Sequence, residues 1–414
     1  MIDFFVQNNT GPYGLSGALL MSEELITFRA EVRDWLVENC PEEMRSPLRS
    51  EKDACWGGRN FTFQSEAQRL WLERMGEKGW TAPAWPKEYG GGGLNRQQVK
   101  ILKQEMTRIN ARGALYSFGI SMLGPALLKY GNDEQKQTFL PPIVRGEIRW
   151  AQGYSEPNAG SDLANLQAPA VDMGDHYILN GSKIWTSYGD DGDWMFCLVR
   201  TDSDAPKHQG ISFMLFDMKT PGITVRPIKL ISGRSPFCEV FFEDVSIPKE
   251  QQVGELNKGW SIAKYLLTHE REMISWSGLS RTGSEPLSET AMDVIGENGG
   301  KLDDSILRAD IARFEADELA FALTIERARD EVKAGVSLGA VSSWFKFFGT
   351  ELNKQRYNLL MDIHGNDALA WTGEASNDGK LARDWLRTKG NSIEGGTSEI
   401  QLNIVAKHIL GLPG

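Results

Sequence analysis

The sequence predicts a multidomain α+β protein in which a helical region, a β region of barrel or sandwich type and a second helical region follow one another. Two changes of hydrophobic period and a length of 414 residues carry this prediction. A chain that long exceeds what one hydrophobic core organises, so two or three domains are expected. Hydrophobic residues at 41% and charged residues at 24% are ordinary for a globular chain.

From about Ser22 to Gly146 the period is helical. FRAEVRDWLVENC (28–40), SEAQRLWLERMGEKGW (65–80), NRQQVKILKQEMTRI (95–109) and DEQKQTFLPPIV (133–144) carry apolar residues three or four apart. Breakers such as Trp85-Pro86 and the Gly90–Gly93 run separate them. From about Trp150 to Val253 short β-type runs replace the helices: HYILNGSKIWTS (176–187), WMFCLVRT (194–201), GISFMLFDM (210–218), ITVRPI (223–228) and CEVFFEDVSI (238–247). Within the first run, Asn180-Gly181 reads as a two-residue hairpin turn. Strands without intervening helices point to a barrel or sandwich rather than a nucleotide-binding α/β sheet. The helical period returns near 259–280, 303–333, 338–363 and 399–410. Expected boundaries are therefore 21–148, 149–256 and 257–414.

Composition narrows the function. A net charge of −11 argues against nucleic acid or an anionic membrane as the main partner. Cys40, Cys55, Cys197 and Cys238 form no CxxC pair and are expected as free thiols in a reducing cytoplasm. The five histidines are scattered, so no metal site is expected. No apolar run reaches the ~18 residues of a membrane helix. Residues 1–20 carry one charge, Asp3, and no basic stretch. They are read as a disordered leader or a start-site artefact rather than a signal peptide.

Four stretches have the residue types for chemistry. In WAQGYSEPNAGSDLA (150–164), Gly160-Ser161-Asp162 offers amides and a hydroxyl suited to a phosphate or a carbonyl oxygen, or simply a polar turn. In KIWTS (183–187), Trp185 is either a core residue or an aromatic wall for a planar cofactor. In GWSIAKYLLTHEREMISWSG (259–278), Glu270 falls on the apolar stripe of Ile262, Leu266, Ile274 and Gly278. A carboxylate there is either satisfied by a neighbour or raised in pKa toward the value a general base needs. In NSIEGGTSEIQ (391–401), two glycines precede a helix that Thr397 or Ser398 caps, a turn that also suits an anion.

These stretches, in this order, resemble the acyl-CoA dehydrogenase flavoproteins. YSEPNAGSD (154–162), NGSKIWTS (180–187), IPKEQQVGELNKGW (247–260) and EGGTSEIQLNIVAKHILG (394–411) are similar to signatures of that family. The resemblance implies an N-terminal helical domain, a β-barrel-like middle domain and a C-terminal four-helix bundle. It implies FAD as cofactor, an acyl-CoA substrate and an electron-transferring flavoprotein as electron acceptor. It implies a homotetramer or homodimer, with a heteromer as the alternative. Carried over, Tyr154, Ser155, Gly160, Ser161, Trp185 and Ser187 line the flavin, and Thr397 and Glu399 meet its ribityl and diphosphate part. Ser161 and Arg271 face CoA.

The implied reaction is α,β-dehydrogenation, with a carboxylate taking the Cα proton while a hydride leaves Cβ. Many members place that base directly before a glycine-threonine pair, where this chain has Gly395, whose backbone amide would face the thioester carbonyl. A subgroup places it in a Glu-Arg pair on the first helix of the last domain, matched by Glu270-Arg271. Glu270 is therefore the expected base rather than Glu394. Residues 280–315 depart from the family pattern of an arginine, a Phe-Gly and a glutamine that reach a neighbouring subunit's FAD. Alternatives are a flavin oxidase or monooxygenase of the same fold, and a non-catalytic partner subunit.

Overall fold

The structure is a computed structural model that describes residues 22–48, 53–267, 286–336, 339–373 and 376–413. Residues 1–20, read above as a leader, lie outside these residues. They form two compact units, one containing the described residues up to Cys55 with Thr62–Leu115, the other Trp56–Phe61 with everything from Tyr116 onward.

The first unit holds three helices, α1 (Glu23–Asn39), α2 (Glu66–Glu77) and α3 (Arg96–Arg108). Ser22, Ser65 and Asn95 cap their starts with side-chain oxygens, satisfying backbone donors that otherwise lack partners. Val32, Leu36, Trp71, Met75 and Leu102 form the core between them. Glu105 of α3 is buried and accepts from Arg29, Arg33 and Arg108.

In the second unit, α4 (Gly124–Tyr130) and α5 (Asp133–Val144) lead into eight strands. These are β1 (Trp150–Gly153), β2 (Ala170–Asp172), β3 (His176–Ser187), β4 (Trp194–Arg200), β5 (Ile211–Asp217), β6 (Ile223–Ile228), β7 (Phe237–Pro248) and β8 (Gln252–Val253). They make two four-stranded sheets, β1-β4-β5-β8 and β2-β3-β7-β6. Inner residues of both sheets, among them Leu179, Met195, Cys197, Met214, Val240, Phe242 and Val245, share one core. β4 and β5 are buried on both faces, which accounts for their unbroken apolar runs. Burial pushes the Cys197 thiol up to about 12 and the Cys238 thiol to about 11, so both stay protonated.

One reading is corrected. Asn180-Gly181 turns no hairpin, because β3 runs unbroken through it. Pairing with β7 slips between Leu179/Val245 and Gly181/Phe242, an extra residue on β7. Gly181 (φ 117°) and Asp244 (φ 52°) adopt the left-handed region there. The Asn180 side chain accepts from the Asp244 amide at 2.9 Å and donates to its carboxylate at 3.1 Å. The backbone freedom that marks a turn serves a bulge instead.

A helix labelled α6 occupies 259–267, up to the last described residue before 268. Then follow α7 (Leu287–Ile295), the short hairpin β9 (Glu297–Asn298) and β10 (Lys301–Leu302), α8 (Ser305–Lys333), α9 (Val341–His364), α10 (Lys380–Thr388) and α11 (Ser398–His408). Gly299 and Gly300, both at positive φ, make the turn of that hairpin. Leu287, Ile311, Phe314, Phe321, Phe345, Leu352 and Leu359 form the core of this helical part, and α10 and α11 pack on α9. Among the described residues no helix is long and apolar enough to cross a membrane.

Candidate active site

The loop after β1 is tied to β3 by a buried ion pair. Lys183 has no exposed surface, and its Nζ donates to Glu156 Oε1 at 2.8 Å and to the Tyr154 carbonyl at 3.2 Å. Glu156 also accepts from the amides of Gln167 (2.6 Å) and Ala168 (3.0 Å). The Ile184 amide donates to the Ser155 carbonyl at 2.8 Å. A buried carboxylate with one cation and two amides is compensated, whereas loss of any one partner would leave a costly charge. The structure thus brings Tyr154 and Ser155 beside Lys183 and Ile184, the residues that lead into Trp185. Gly160 and Ser161 follow on an exposed turn, and Asp162 pairs with Lys207 at 2.9 Å.

At the end of β3 the ladder slips again. Lys183 pairs with Val240 but Thr186 with Cys238, so β3 carries one extra residue. Trp185 sits in that bulge at φ 62° with about half of its surface exposed (51%). A left-handed conformation costs an aromatic residue roughly 1–2 kcal/mol, and outliers of this kind gather at ligand sites. Trp185 is therefore no core residue. Its edge meets Phe237 in a T-shaped pair at 6.1 Å. Thr186 turns inward, where its hydroxyl has no partner among the described residues, while Ser187 stays partly exposed.

The carboxyl-terminal turn is built from Gly395 (φ 64°) and Gly396 (φ 91°), which only glycine adopts without strain. Thr397, not Ser398, caps α11, its hydroxyl accepting from the Ile400 amide at 3.2 Å. Gln401 is buried and donates to the Gly395 carbonyl at 2.9 Å. Its own backbone N–H and the Thr397 hydroxyl hold the Glu399 carboxyl below the usual carboxylate range. Glu394 accepts from Arg387 at 2.7 Å and from Asn391. Both of its oxygens are engaged. The buried Lys346 of α9 donates to the Asn391 carbonyl at 2.9 Å, and burial pushes its pKa down.

Arg387 joins the two halves. Its guanidinium lies over Phe237 at 5.5 Å, so Glu394, Arg387, Phe237 and Trp185 form a chain of contacts from the terminal turn to the β3 bulge. Nothing in the sequence marks Arg387 or Phe237 for this task. Glu156 and Lys183 do lie inside conspicuous stretches, but their pairing across 27 residues has no local pattern. Glu270 and Arg271 lie outside the described residues. Up to that point α6 buries Ile262, Ala263 and Leu266.

Two observations fit a large planar, phosphate-bearing cofactor. Trp185 presents a ring to solvent from a strained bulge. At the start of α11, the Ser398 hydroxyl and Gln401 Oε1 are buried without partners among the described residues, where the helix favours anionic ligands. Among the described residues no cluster of His, Cys, Asp and Glu suits a metal ion.

Comparison with known proteins covers nearly the whole chain. Residues 22–147, 151–245 and 257–410 match the N-terminal, middle and C-terminal domains of acyl-CoA dehydrogenase. The chain is 32% identical over 403 residues to acyl-CoA dehydrogenase IpdE1 of Mycolicibacterium smegmatis, covering 94% of this chain and 98% of that one. It is 33% identical to acyl-CoA dehydrogenase FadE26 of Mycobacterium tuberculosis, covering 93% and 96%. Among solved structures it is similar to the Tcur3481-Tcur3483 steroid ACAD (TM-score 0.72, 30% identity, 94% and 98% covered). It is also similar to the ChsE4-ChsE5 complex from Mycobacterium tuberculosis (TM-score 0.69, 30% identity, 96% and 99% covered).

Proposed function

We propose, from the premise that this chain belongs to the acyl-CoA dehydrogenase family, that it converts a bulky acyl-CoA to the trans-2-enoyl-CoA as one subunit of a heteromer. The chain is an oxidoreductase, and its cofactor is FAD. The observation that carries the reading is the strained, exposed Trp185 beside the loop that Glu156 and Lys183 fasten.

In this reading Trp185 covers the ring system, and Tyr154, Ser155 and Ser187 offer hydrogen bonds to it. Gly160 and Ser161 allow close approach, while Thr397 and Glu399 meet the polar tail of the cofactor. The chemistry FAD supplies when bound is acceptance of the hydride that leaves Cβ. Everything else falls to the chain. Gly395 directs its amide at the thioester carbonyl and stabilises enolate charge as it develops. Glu270 removes the Cα proton, and Ser161 and Arg271 hold the CoA part. That Arg387 and Asn391 occupy both oxygens of Glu394 supports Glu270 over it as the base. An electron-transferring flavoprotein then reoxidises the enzyme.

Two structural neighbours support the reading: the Tcur3481-Tcur3483 steroid ACAD supports the substrate size, and the ChsE4-ChsE5 complex supports the assembly. The test is an anaerobic titration of the flavin absorbance with a panel of acyl-CoA thioesters. Glu270→Gln should keep FAD and abolish bleaching, while Glu394→Gln still bleaches. Bleaching at the parental rate in the first variant and none in the second would show that Glu394 holds the role.

A further inference from the structure

A second group of aromatic rings begins one residue beyond Ser187. Tyr188 is again left-handed (φ 49°), and its amide donates to the Pro236 carbonyl at 2.8 Å. Its ring lies 5.1 Å from that of Trp56, which in turn lies 6.2 Å from Tyr116 and 5.9 Å from Phe118. The guanidinium of Arg149 covers two of them, 5.1 Å from the Trp56 ring and 5.3 Å from the Tyr188 ring, and pairs with Asp191 at 3.1 Å. All four rings keep part of their surface exposed. Rings that serve packing alone, such as Phe196 and Phe213, are wholly buried.

The chain goes to some length to put Trp56 there. Residues 56–61 lie within the sequence of the first unit yet fold with the second. Gly57 (φ 64°) approaches the Gly146 carbonyl so closely that a Cβ would stand 2.3 Å from its oxygen. A Cβ at Gly58 (φ 101°) would come within 2.8 Å of Arg149 and Asp193. Asp193, itself buried, accepts from the Arg59 amide at 2.9 Å and its Nε at 3.1 Å, while Arg59 Nη2 reaches Asp217 at 2.8 Å. A positive-φ pair, a buried carboxylate and a forked guanidinium thus hold a six-residue strap whose first side chain joins the ring cluster.

We propose that Trp56, Tyr116, Phe118 and Tyr188 are the wall that receives the far end of the acyl group, and that its substrates are thioesters whose acyl chain carries a flat ring system. The inference rests on the dehydrogenase reading above. If Ser187 meets the flavin, the bond to be oxidised lies beside it, and the acyl group continues toward Tyr188. Aromatic faces bind flat rings through offset and edge contacts that a flexible alkyl chain does not reproduce. Arg149 adds a cation on the cluster and stiffens it.

The experiment measures kcat/KM of the FAD-loaded holoenzyme for 3-(2-naphthyl)propanoyl-CoA and for octanoyl-CoA. The wild type should prefer the naphthyl thioester. Trp56→Ala should lower that preference about tenfold, the change expected from losing one well-formed aromatic contact, mainly through KM, and Trp56→Phe should restore most of it. An unchanged ratio in Trp56→Ala overturns the proposal. If Trp56→Ala loses FAD, Phe118→Leu decides: the same fall in preference supports the wall, and an unchanged ratio refutes it. Bleaching of the wild type by octanoyl-CoA alone defeats the inference while leaving the dehydrogenase reading intact. Bleaching by neither thioester defeats both.

Discussion

Lys183 is the residue on which the site's order depends. Its ammonium has no exposed surface, and its partners are a carboxylate and a carbonyl of the loop that follows β1. Lys183→Met leaves Glu156 buried with two amides and no cation. That change should destabilise the protein by about 3–5 kcal/mol and release FAD. Urea unfolding with flavin absorbance as a second probe checks it, and a variant that melts like the wild type with full FAD would refute it. The sequence exposed this part of the site only halfway. YSEP and KIWTS stand out by composition, and Trp185 could be read two ways until its exposure removed the reading as a core residue. The ion pair between the two stretches left no trace, because tertiary pairing across dozens of residues has no period.

Elements were legible in proportion to their length. The long helices and β3 to β7 were readable from their period, with ends shifted by a few residues, whereas β1, β2, β8, α7 and α10 were not. A strand of two to four residues offers too few positions for alternation to register, and α10 is nine residues in a polar stretch. Asn180-Gly181 misled because its tolerance of left-handed backbone serves turns and bulges alike. In the first unit, α1 and α3 are joined through Glu105. Its carboxyl is held down at about 2, chiefly by the hydrogen bond from Arg33 and then by those from Arg108 and Arg29. Because the folded value lies below the ordinary 4.5, this stability is present above pH 4.5 and is lost as the pH falls toward 2. Thermal melts across that window should show a shallower acid slope for Glu105→Gln than for the wild type. Parallel slopes would remove Glu105 from the account of acid unfolding.

The whole molecule leaves apolar surface uncovered. On α8, Leu319 and Leu323 stand one turn apart and are 61% and 56% exposed, in line with exposed Ala312 and Ala316. A helix face of small residues and leucines turned to water is what a subunit interface needs. In the assembly proposed above, replacing both leucines by Glu should therefore release single chains in sedimentation velocity, with helical content unchanged. An unaltered sedimentation profile would place the interface elsewhere. The strap at residues 56–61 bears on how this molecule comes into being. During synthesis Arg59 leaves the ribosome well before its partner Asp193, 134 positions later in the chain. The strap cannot dock until most of the β sandwich has emerged, so a stretch belonging to the later unit waits inside the earlier one. Cotranslational folding of the two units is thereby coupled in time, and a ribosome stalled before β4 would hold a first unit whose residues 56–61 remain open to protease.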